Sequence, residues 1–377
     1  MAGEPHSQTR GFLDMLQWST LLITGGLLIS LVASEVAIGQ AGNLSVLTSV
    51  FLLLLAIGLL ITSADFFIEG AKNLARTVGI PEVVIGLTIV SIGTSLPEIL
   101  VMTTASLNSS TDPDLAGLAV GNIYGSVLAQ ITIVLGIVVL VRPMDVQPDW
   151  MKRDGMLMLG AVVLLSIFLL IGGDLRRIEG LILVSCYIIY VTYLLWNRDE
   201  LDDDEDDGTT SSQLERGWTA SAAIVMVIGG LGCAVYAADR LVMFASEIAL
   251  EVGISEAVIG TTMSGLGTSL PELTVALMAA KRSQGVAIGT LIGSNITDPL
   301  LSIGLASLIR PIVLPAEMAP LVLQLIMPAT IIGVIACLVA MWTGFRFNRS
   351  EGACLVVLYL LFLGLLVLES QGRILTG

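Results

Sequence analysis

Two copies of the hexapeptide GTSLPE each place a glutamate, Glu98 and Glu272, inside a long apolar segment. A carboxylate near the centre of a membrane-spanning helix costs about 2.5–3.5 kcal/mol on insertion scales, so each needs compensation. Neither segment has a Lys, Arg or His near its glutamate, and Arg240, the basic residue inside another apolar segment, adjoins Asp239. Cation binding therefore explains the glutamates better than protonation or pairing with a base.

Hydroxyl residues precede both glutamates at the same spacing. In the first copy, Thr94 and Ser95 stand four and three residues before Glu98. In the second copy, Thr268 and Ser269 stand at the same distances before Glu272. Residues at these spacings share one face of a helix. Hydroxyl, carbonyl and carboxylate oxygens favour Ca²⁺ or Na⁺ over zinc or copper, and Ca²⁺ takes about 6–8 such ligands.

The proline of each hexapeptide, Pro97 or Pro271, predicts a break in its helix. Proline lacks an N–H, so it cannot bond to the carbonyl four residues earlier, which belongs to Gly93 or Gly267. Broken helices at membrane depth occur where they line a cavity or are buried in protein. We therefore expect carbonyl oxygens to join the cation site.

Two further segments, GNIYGSVLAQ and GTLIGSNITDP, add a second layer of polar residues. Ser126 and Gln130 are four residues apart, as are Ser294 and Asp298, so each pair shares a helix face. Asp298 is a third carboxylate within an apolar segment, and Gln130 occupies the equivalent position in the other copy. All four residues are candidate ligands.

Small and amide residues in these two segments have structural explanations as well. Gly125 and Gly293 would let helices approach closely, so packing alone could account for them. Asn122 and Asn295 could be ligands, but we favour hydrogen bonding between helices.

The composition predicts an α-helical membrane protein. Of the 377 residues, 55% are hydrophobic and 13% are charged, whereas soluble domains carry about 25% charged residues. The net charge of −15 makes nucleic acid an improbable partner. The four cysteines lack CxxC spacing and are expected to be buried free thiols, and the single histidine, His6, lies in the polar N-terminal tail.

Eleven continuous apolar runs are long enough to span a bilayer as helices, rather than as the alternating strands of a barrel. They lie near residues 17–38, 46–70, 80–107, 115–140, 155–172, 178–196, 218–245, 255–280, 285–308, 320–343 and 351–369. The first run, within the N-terminal region 1–44, is either an extra helix or the apolar part of a cleaved signal peptide. Its leader has Arg10 as its one arginine and no lysine, so we favour the extra helix.

An internal repeat organises the other ten segments. Residues 85–98 match residues 259–272 with nine identities in fourteen, and GTSLPE is part of that match. A second offset, 168, pairs Gly121, Gly125, Ser126 and Gly136 with Gly289, Gly293, Ser294 and Gly304. Because each copy holds five helices, an odd number, the two halves (45–197 and 217–377) must enter the membrane from opposite sides. Such inverted repeats place an ion site at the midplane.

The acidic stretch 198–216 separates the halves and is predicted to be a solvated, flexible linker. It lacks the spacing of an EF-hand calcium loop, which was the functional alternative. Short cytoplasmic loops carry excess Lys and Arg, and their distribution here puts the linker in the cytoplasm.

The paired GTSLPE motifs, each followed by a helix containing Gly-Ser, resemble the two α-repeats of the sodium/calcium exchanger family of the calcium/cation antiporter superfamily. The resemblance runs from about Ser45 to Leu368, with α-repeats near 80–140 and 254–308. It implies ten helices in two inverted halves, central carboxylates Glu98 and Glu272 shared by Ca²⁺ and Na⁺, and a second-repeat Asp at Asp298. The hydroxyl residues named above, including Ser126 and Ser294, would be flanking ligands. Gln130 stands where a relative often has Asn or Asp.

These observations predict a plasma-membrane antiporter, one chain per transport unit, that exports Ca²⁺ by alternating access as Na⁺ enters. The ions are substrates, and no cofactor is expected. The alternative is a proton/Ca²⁺ antiporter using the same carboxylates. An intramembrane enzyme is disfavoured because HExxH, GxSxG and GxGD motifs are missing, and a channel would lack two exchanging halves.

Overall fold

A computed structural model describes residues 18–39, 46–78, 82–108, 114–197, 220–251, 269–281, 284–314, 316 and 318–370. The linker 198–216, Gly267 and Thr268 lie outside this part of the chain. Seven helices within it are long and apolar enough to cross a membrane. The prediction of an all-α membrane protein is therefore confirmed.

Within the described part of the chain, the helices lie in or next to the predicted segments, while residues 255–268 of the predicted segment 255–280 lie outside that part. In the first half and the region before it they are α1 (Trp18–Gly39), α2 (Val46–Val78), α3 (Glu82–Ile85), α4 (Ser91–Thr94), α5 (Leu96–Asn108), α6 (Asp114–Ala129), α7 (Leu135–Val141), α8 (Pro148–Trp150), α9 (Met156–Gly172) and α10 (Arg177–Trp196). In the second half they are α11 (Ala220–Glu251), α12 (Leu270–Ala280), α13 (Gln284–Thr297), α14 (Ile303–Ile309), α15 (Met327–Trp342) and α16 (Arg349–Ser370).

In the described part of the chain, five π-helical turns join or precede α-helices, and the sequence analysis did not predict them. They cover Gly86–Val90, Gln130–Val134, Met151–Gly155, Asp298–Ser302 and Leu321–Ile326. A π turn inserts a residue into the helix and often marks a functional site. Two of these turns begin at candidate ligands, Gln130 and Asp298.

Two short antiparallel ladders connect the halves at the helix ends. Strand β1 (Met144–Asp145) pairs with β4 (Arg346–Phe347), and β2 (Asp174–Leu175) pairs with β3 (Ile312–Val313). The repeat offset of 168 relates β1 to β3, while the helical stretch 148–172 separates β1 from β2. Each ladder therefore pairs a segment between two helices of one half with a segment between two helices of the other half. Halves with opposite orientation would be connected in this way.

The two halves also meet at paired glycines. A Cβ atom on Gly136 would lie 2.7 Å from the carbonyl oxygen of Gly352, and one on Gly352 would lie 2.9 Å from that of Gly136. The same contact recurs where a Cβ on Gly180 would lie 2.8 Å from the carbonyl oxygen of Gly304. Small residues allow membrane helices to pack backbone to backbone, and here they bring α7 against α16 and α10 against α14.

The N-terminal helix α1 packs on the long helices α2 and α11. Leu31 is fully buried and shares an apolar cluster with Leu59 and Phe244. One turn further along α1, Glu35 lies 3.3 Å from Arg240 and accepts a hydrogen bond of 2.9 Å from Tyr236. This contact supplies Arg240 with an acid beyond its neighbour Asp239, which lies 3.6 Å away.

All four cysteines are free thiols, as expected, but they are not uniformly buried. Cys337 is buried and Cys354 is exposed on the outer surface of α16. An exposed apolar position is normal for a helix that faces lipid.

We expect Gly352→Val to destabilise the protein by about 1–3 kcal/mol, because the new side chain would force α16 away from α7. Thermal unfolding in detergent would measure this loss. Gly364→Val is the matched control on the same helix, since no described atom lies within 4 Å of a Cβ there. Equal melting temperatures for the two variants would contradict the close helix contact.

We expect Glu35 and Arg240 to be energetically coupled by about 0.6–1.7 kcal/mol, the range of polar contacts between membrane helices. A double-mutant cycle with Glu35→Gln and Arg240→Gln, followed by unfolding, would measure the coupling. A coupling of zero would show that α1 is not docked through this pair.

Candidate cation-binding site

The first GTSLPE motif interrupts its helix at Ser95 (φ −79°, ψ 5°), which separates α4 from α5. In the second copy Ser269 (φ −87°, ψ 3°) directly precedes α12, and residues 252–268 before it lie outside the described part of the chain. Leu96 and Leu270 begin the helices that follow, so each proline falls in a first turn, where its missing N–H is tolerated. The predicted helix break is confirmed in the first copy, and each glutamate lies in the first turn of the helix that follows its motif serine.

The three candidate carboxylates are fully buried. Glu98, Glu272 and Asp298 each have 0% exposed surface. Glu272 and Asp298 are close enough for their charges to interact, and neither has a basic neighbour within the described part of the chain. Burying two neighbouring negative charges without a base is strongly unfavourable, so the site requires a cation or protons.

The two halves meet at these carboxylates. Thr94, from the first motif, lies near Glu272, and Ser95 lies near Asp298, but neither hydroxyl forms a hydrogen bond to that acid. Both hydroxyl residues are fully buried. The sequence analysis grouped Thr94 and Ser95 with Glu98 of their own motif, and the tertiary structure adds that they face the acids of the other half.

Asp298 is held by hydrogen bonds from two helices. Its Oδ2 accepts from Ser126 Oγ (3.0 Å) and Gln130 Nε2 (3.2 Å), and its Oδ1 accepts from Ser302 Oγ (3.3 Å). Gln130 Nε2 also lies 3.2 Å from Ser126 Oγ. The predicted pairs Ser126–Gln130 and Ser294–Asp298 thus lie on facing helices, and the first pair contacts Asp298 directly.

Several buried oxygen atoms at this place have no hydrogen-bond donor among the described residues. They are Ser95 Oγ, Gln130 Oε1 and both carboxylate oxygens of Glu272. Unsatisfied buried oxygens cost free energy unless a ligand or water reaches them. No three acidic, histidine or cysteine side chains of the described part form a metal cluster by themselves. The oxygens therefore suit a cation bound by mixed ligands.

Not every candidate points into this group. Ser294 Oγ donates to the carbonyl of Thr290 in its own helix. Ser269 is fully buried at the start of α12. Asn295 donates to Leu291 of its own helix, so its amide group does not provide the interhelical hydrogen bond we favoured.

The sequence analysis missed Ser302 and the two π turns. Ser302 lies four residues after Asp298, a spacing that could have revealed its contact. Pro299 is a signal for the turn at Asp298, because its missing N–H disturbs the helix, but the turn at Gln130 contains no proline. Both turns begin at equivalent positions of the repeat, so the distortion belongs to the fold of each copy.

Gly293 sets the distance between α13 and the first motif. A Cβ atom there would lie 2.9 Å from both Leu87 Cα and Ser91 Cβ. At Gly125 no described atom lies within 4 Å of a Cβ. The packing explanation is therefore established for Gly293.

Comparison with known proteins identifies the family. The sequence profile of sodium/calcium exchanger proteins matches residues 48–196 and 222–368. The chain belongs to the sodium/calcium exchanger family. Helix α1 and the acidic linker lie outside the matched residues.

Individual relatives agree with this membership. The sodium/calcium exchanger MaX1 of Methanosarcina acetivorans is 31% identical over 354 residues, covering 83% of this chain and 96% of the relative. Inner membrane protein YrbG of Escherichia coli is 35% identical over 273 residues, covering 68% and 79%. A solved structure of the sodium-calcium exchanger NCX_Mj, soaked with Na⁺ and Sr²⁺, has a TM-score of 0.68 and 31% identity, covering 84% of this chain and 98% of that chain.

Replacement of either central acid by its amide should abolish cation exchange while leaving the protein folded. Glu98→Gln and Glu272→Gln keep the side-chain shape but remove the charge that a buried cation needs. Ca²⁺ uptake into proteoliposomes and thermal unfolding would be measured together. Normal transport by both variants would contradict the assignment of the site.

Proposed function

We propose that this protein is a secondary antiporter that exports Ca²⁺ by alternating access while Na⁺ enters. The observation that carries the proposal is the meeting of Glu272 and Asp298 with Thr94 and Ser95 of the other half, fully buried and without a basic partner in the described part. Oxygen ligands of this kind suit both ions. The transported ions are substrates, and we assign the protein no enzymatic reaction.

Within the site, we assign Glu98 and Glu272 the central role for both ions. Thr94, Ser95, Thr268 and Ser269 would supply flanking hydroxyl or carbonyl oxygens. Ser126 and Gln130 present hydrogen-bond donors to Asp298, and Gln130 retains Oε1 for a cation or water. Ser294 would contribute from the same helix as Asp298.

Electrostatics supply the coupling. Several Na⁺ ions or one Ca²⁺ ion can neutralise the same carboxylates, so the two ions exclude each other. An empty site leaves buried negative charge, which hinders the switch between its two faces. Net transport then requires that one ion replace the other.

The architecture is consistent with alternating access between inverted halves. The ladders β1–β4 and β2–β3 and the paired glycines connect the halves at equivalent positions, as an inverted repeat would. We propose that ten helices form the transport unit and that one chain is sufficient for it.

The remaining regions receive assignments of their own. We propose a plasma-membrane location with the linker 198–216 in the cytoplasm, which the distribution of Lys and Arg supports. We also propose that α1 is retained as an extra helix, because Leu31 is buried against α2 and α11 and Glu35 reaches Arg240.

The deciding experiment is uptake of radioactive Ca²⁺ by proteoliposomes loaded with Na⁺ and diluted into Na⁺-free buffer. Uptake should require internal Na⁺ and be unaffected by a protonophore. Uptake driven by a pH gradient alone would instead support the proton antiporter. Liposomes containing Glu272→Gln protein provide the matched control for leakage.

A further inference from the structure

Three buried hydroxyl groups, each from a different helix, lie together at Thr297, the residue that precedes Asp298 in the sequence. Thr297 Oγ1 lies 2.8 Å from Ser91 Oγ and 3.2 Å from the hydroxyl of Tyr187. Ser91 and Thr297 have 0% exposed surface, and Tyr187 has 4%. We call Ser91, Thr297 and Tyr187 the hydroxyl cluster.

Thr297 has several hydrogen-bond partners for its one hydroxyl proton. Besides Ser91 and Tyr187, its Oγ1 can donate to the carbonyl oxygen of Gly293, which is 2.8 Å away. Because a hydroxyl oxygen can also accept, Thr297 can bond to more than one of these partners at the same time. Either oxygen can be the donor in the 2.8 Å bond between Ser91 and Thr297.

The backbone carbonyl of Ser91 also stabilises the helix break at Ser95. Its carbonyl oxygen accepts the backbone N–H of Ser95 (3.0 Å) and the hydroxyl of Thr94 (3.3 Å). One residue thus bonds to Thr297 through its side chain and to two candidate ligands through its backbone. The contact joins the segment that carries Thr94 and Ser95 to the helix that carries Asp298.

The bond between Ser91 and Thr297 crosses from one half to the other and has no counterpart related to it by the repeat. The offset of 174 pairs Ser91 with Gly265, and the offset of 168 pairs Thr297 with Ala129. Glycine and alanine side chains have no hydroxyl group, so the repeat-related pair cannot form this bond. This asymmetry indicates that the fold of a repeat does not require the bond. The bond lies next to Asp298, so its role is related to the cation site.

We propose that Ser91 and Thr297 are positioning residues for cation binding, with Tyr187 supporting Thr297. Their hydrogen bond holds Thr94 and Ser95 at a set distance from Asp298 before a cation arrives. Without it, binding would have to order the two segments, which weakens affinity. This inference rests on the proposed function, since the cation is the one that the carboxylates bind.

The test compares Thr297→Val, Ser91→Ala, their double variant, the conservative Thr297→Ser and the control Thr290→Val. Thr290 lies two turns earlier on α13, is fully buried, and its hydroxyl donates to Val286 of its own helix. Two quantities are measured for each: the KM for Ca²⁺ in Na⁺-driven exchange, and the Ca²⁺ concentration giving half-maximal thermal stabilisation in detergent.

We expect Thr297→Val and Ser91→Ala each to raise both quantities about 2- to 10-fold, the effect of one lost hydrogen bond, with little change in maximal rate. The double variant should resemble the single ones, because both remove the same bond. Thr297→Ser should restore wild-type values. Ser91→Ala removes one oxygen atom from the side chain, so it provides the test if Thr297→Val does not fold.

Three results would overturn the proposal: values for Thr297→Val equal to those for Thr290→Val, additive effects in the double variant, or a fall in maximal rate with unchanged KM. Wild-type protein that is stabilised by Ca²⁺ but shows no Na⁺-driven uptake would overturn the proposed exchange instead. The half-maximal concentrations of the variants would still decide the role of the cluster.

Discussion

The burial of acidic side chains without basic partners is the constraint on which the rest of this structure depends. Glu272 and Asp298 lie close together and are fully buried, and the first-half residues Thr94 and Ser95 reach them across the interface between halves. Such a group is unfavourable in an empty apolar bundle. Such a group of buried acids is explained if the protein binds cations there in exchange for one another.

The helices that carry and surround these acids are irregular rather than ideal. The helix of the first motif is interrupted at Ser95, and π turns begin at Gln130 and Asp298. Regular helices would satisfy their own backbone groups and leave few oxygens for a ligand. The close packing at Gly293 then brings the irregular parts together, so distortion and tight contact occur at the same place.

The two halves are similar but not equivalent in chemistry. Asp298 is matched by neutral Gln130, which donates to it, and Ser302 is matched by Val134. The hydroxyl cluster also occurs once. A symmetric pair of sites would bind the same ion twice, whereas unequal halves can form one central site. The added helix α1 contacts the long helices α2 and α11.

Much of the architecture was predictable because it depends on local sequence. Apolar length predicted the helices, the proline of the first GTSLPE motif predicted the break at Ser95, and the repeated motif gave the candidate site residues. The predicted segment 155–172 was too short at its start, since the helical stretch begins at Pro148 and includes the charged turn Met151–Gly155. Charges there interrupted the apolar pattern.

The tertiary structure decided which groups face each other. Sequence spacing placed Ser95 near Glu98, but the packing of helices from different halves brought it to Asp298. The same holds for Ser91 with Thr297, which are 206 residues apart, and for Glu35 with Arg240. The sequence by itself determined the helices and the oxygen chemistry, because those depend on residue type and short spacing. Partners across the interface were left to the fold, because they depend on how helices distant in the chain pack together.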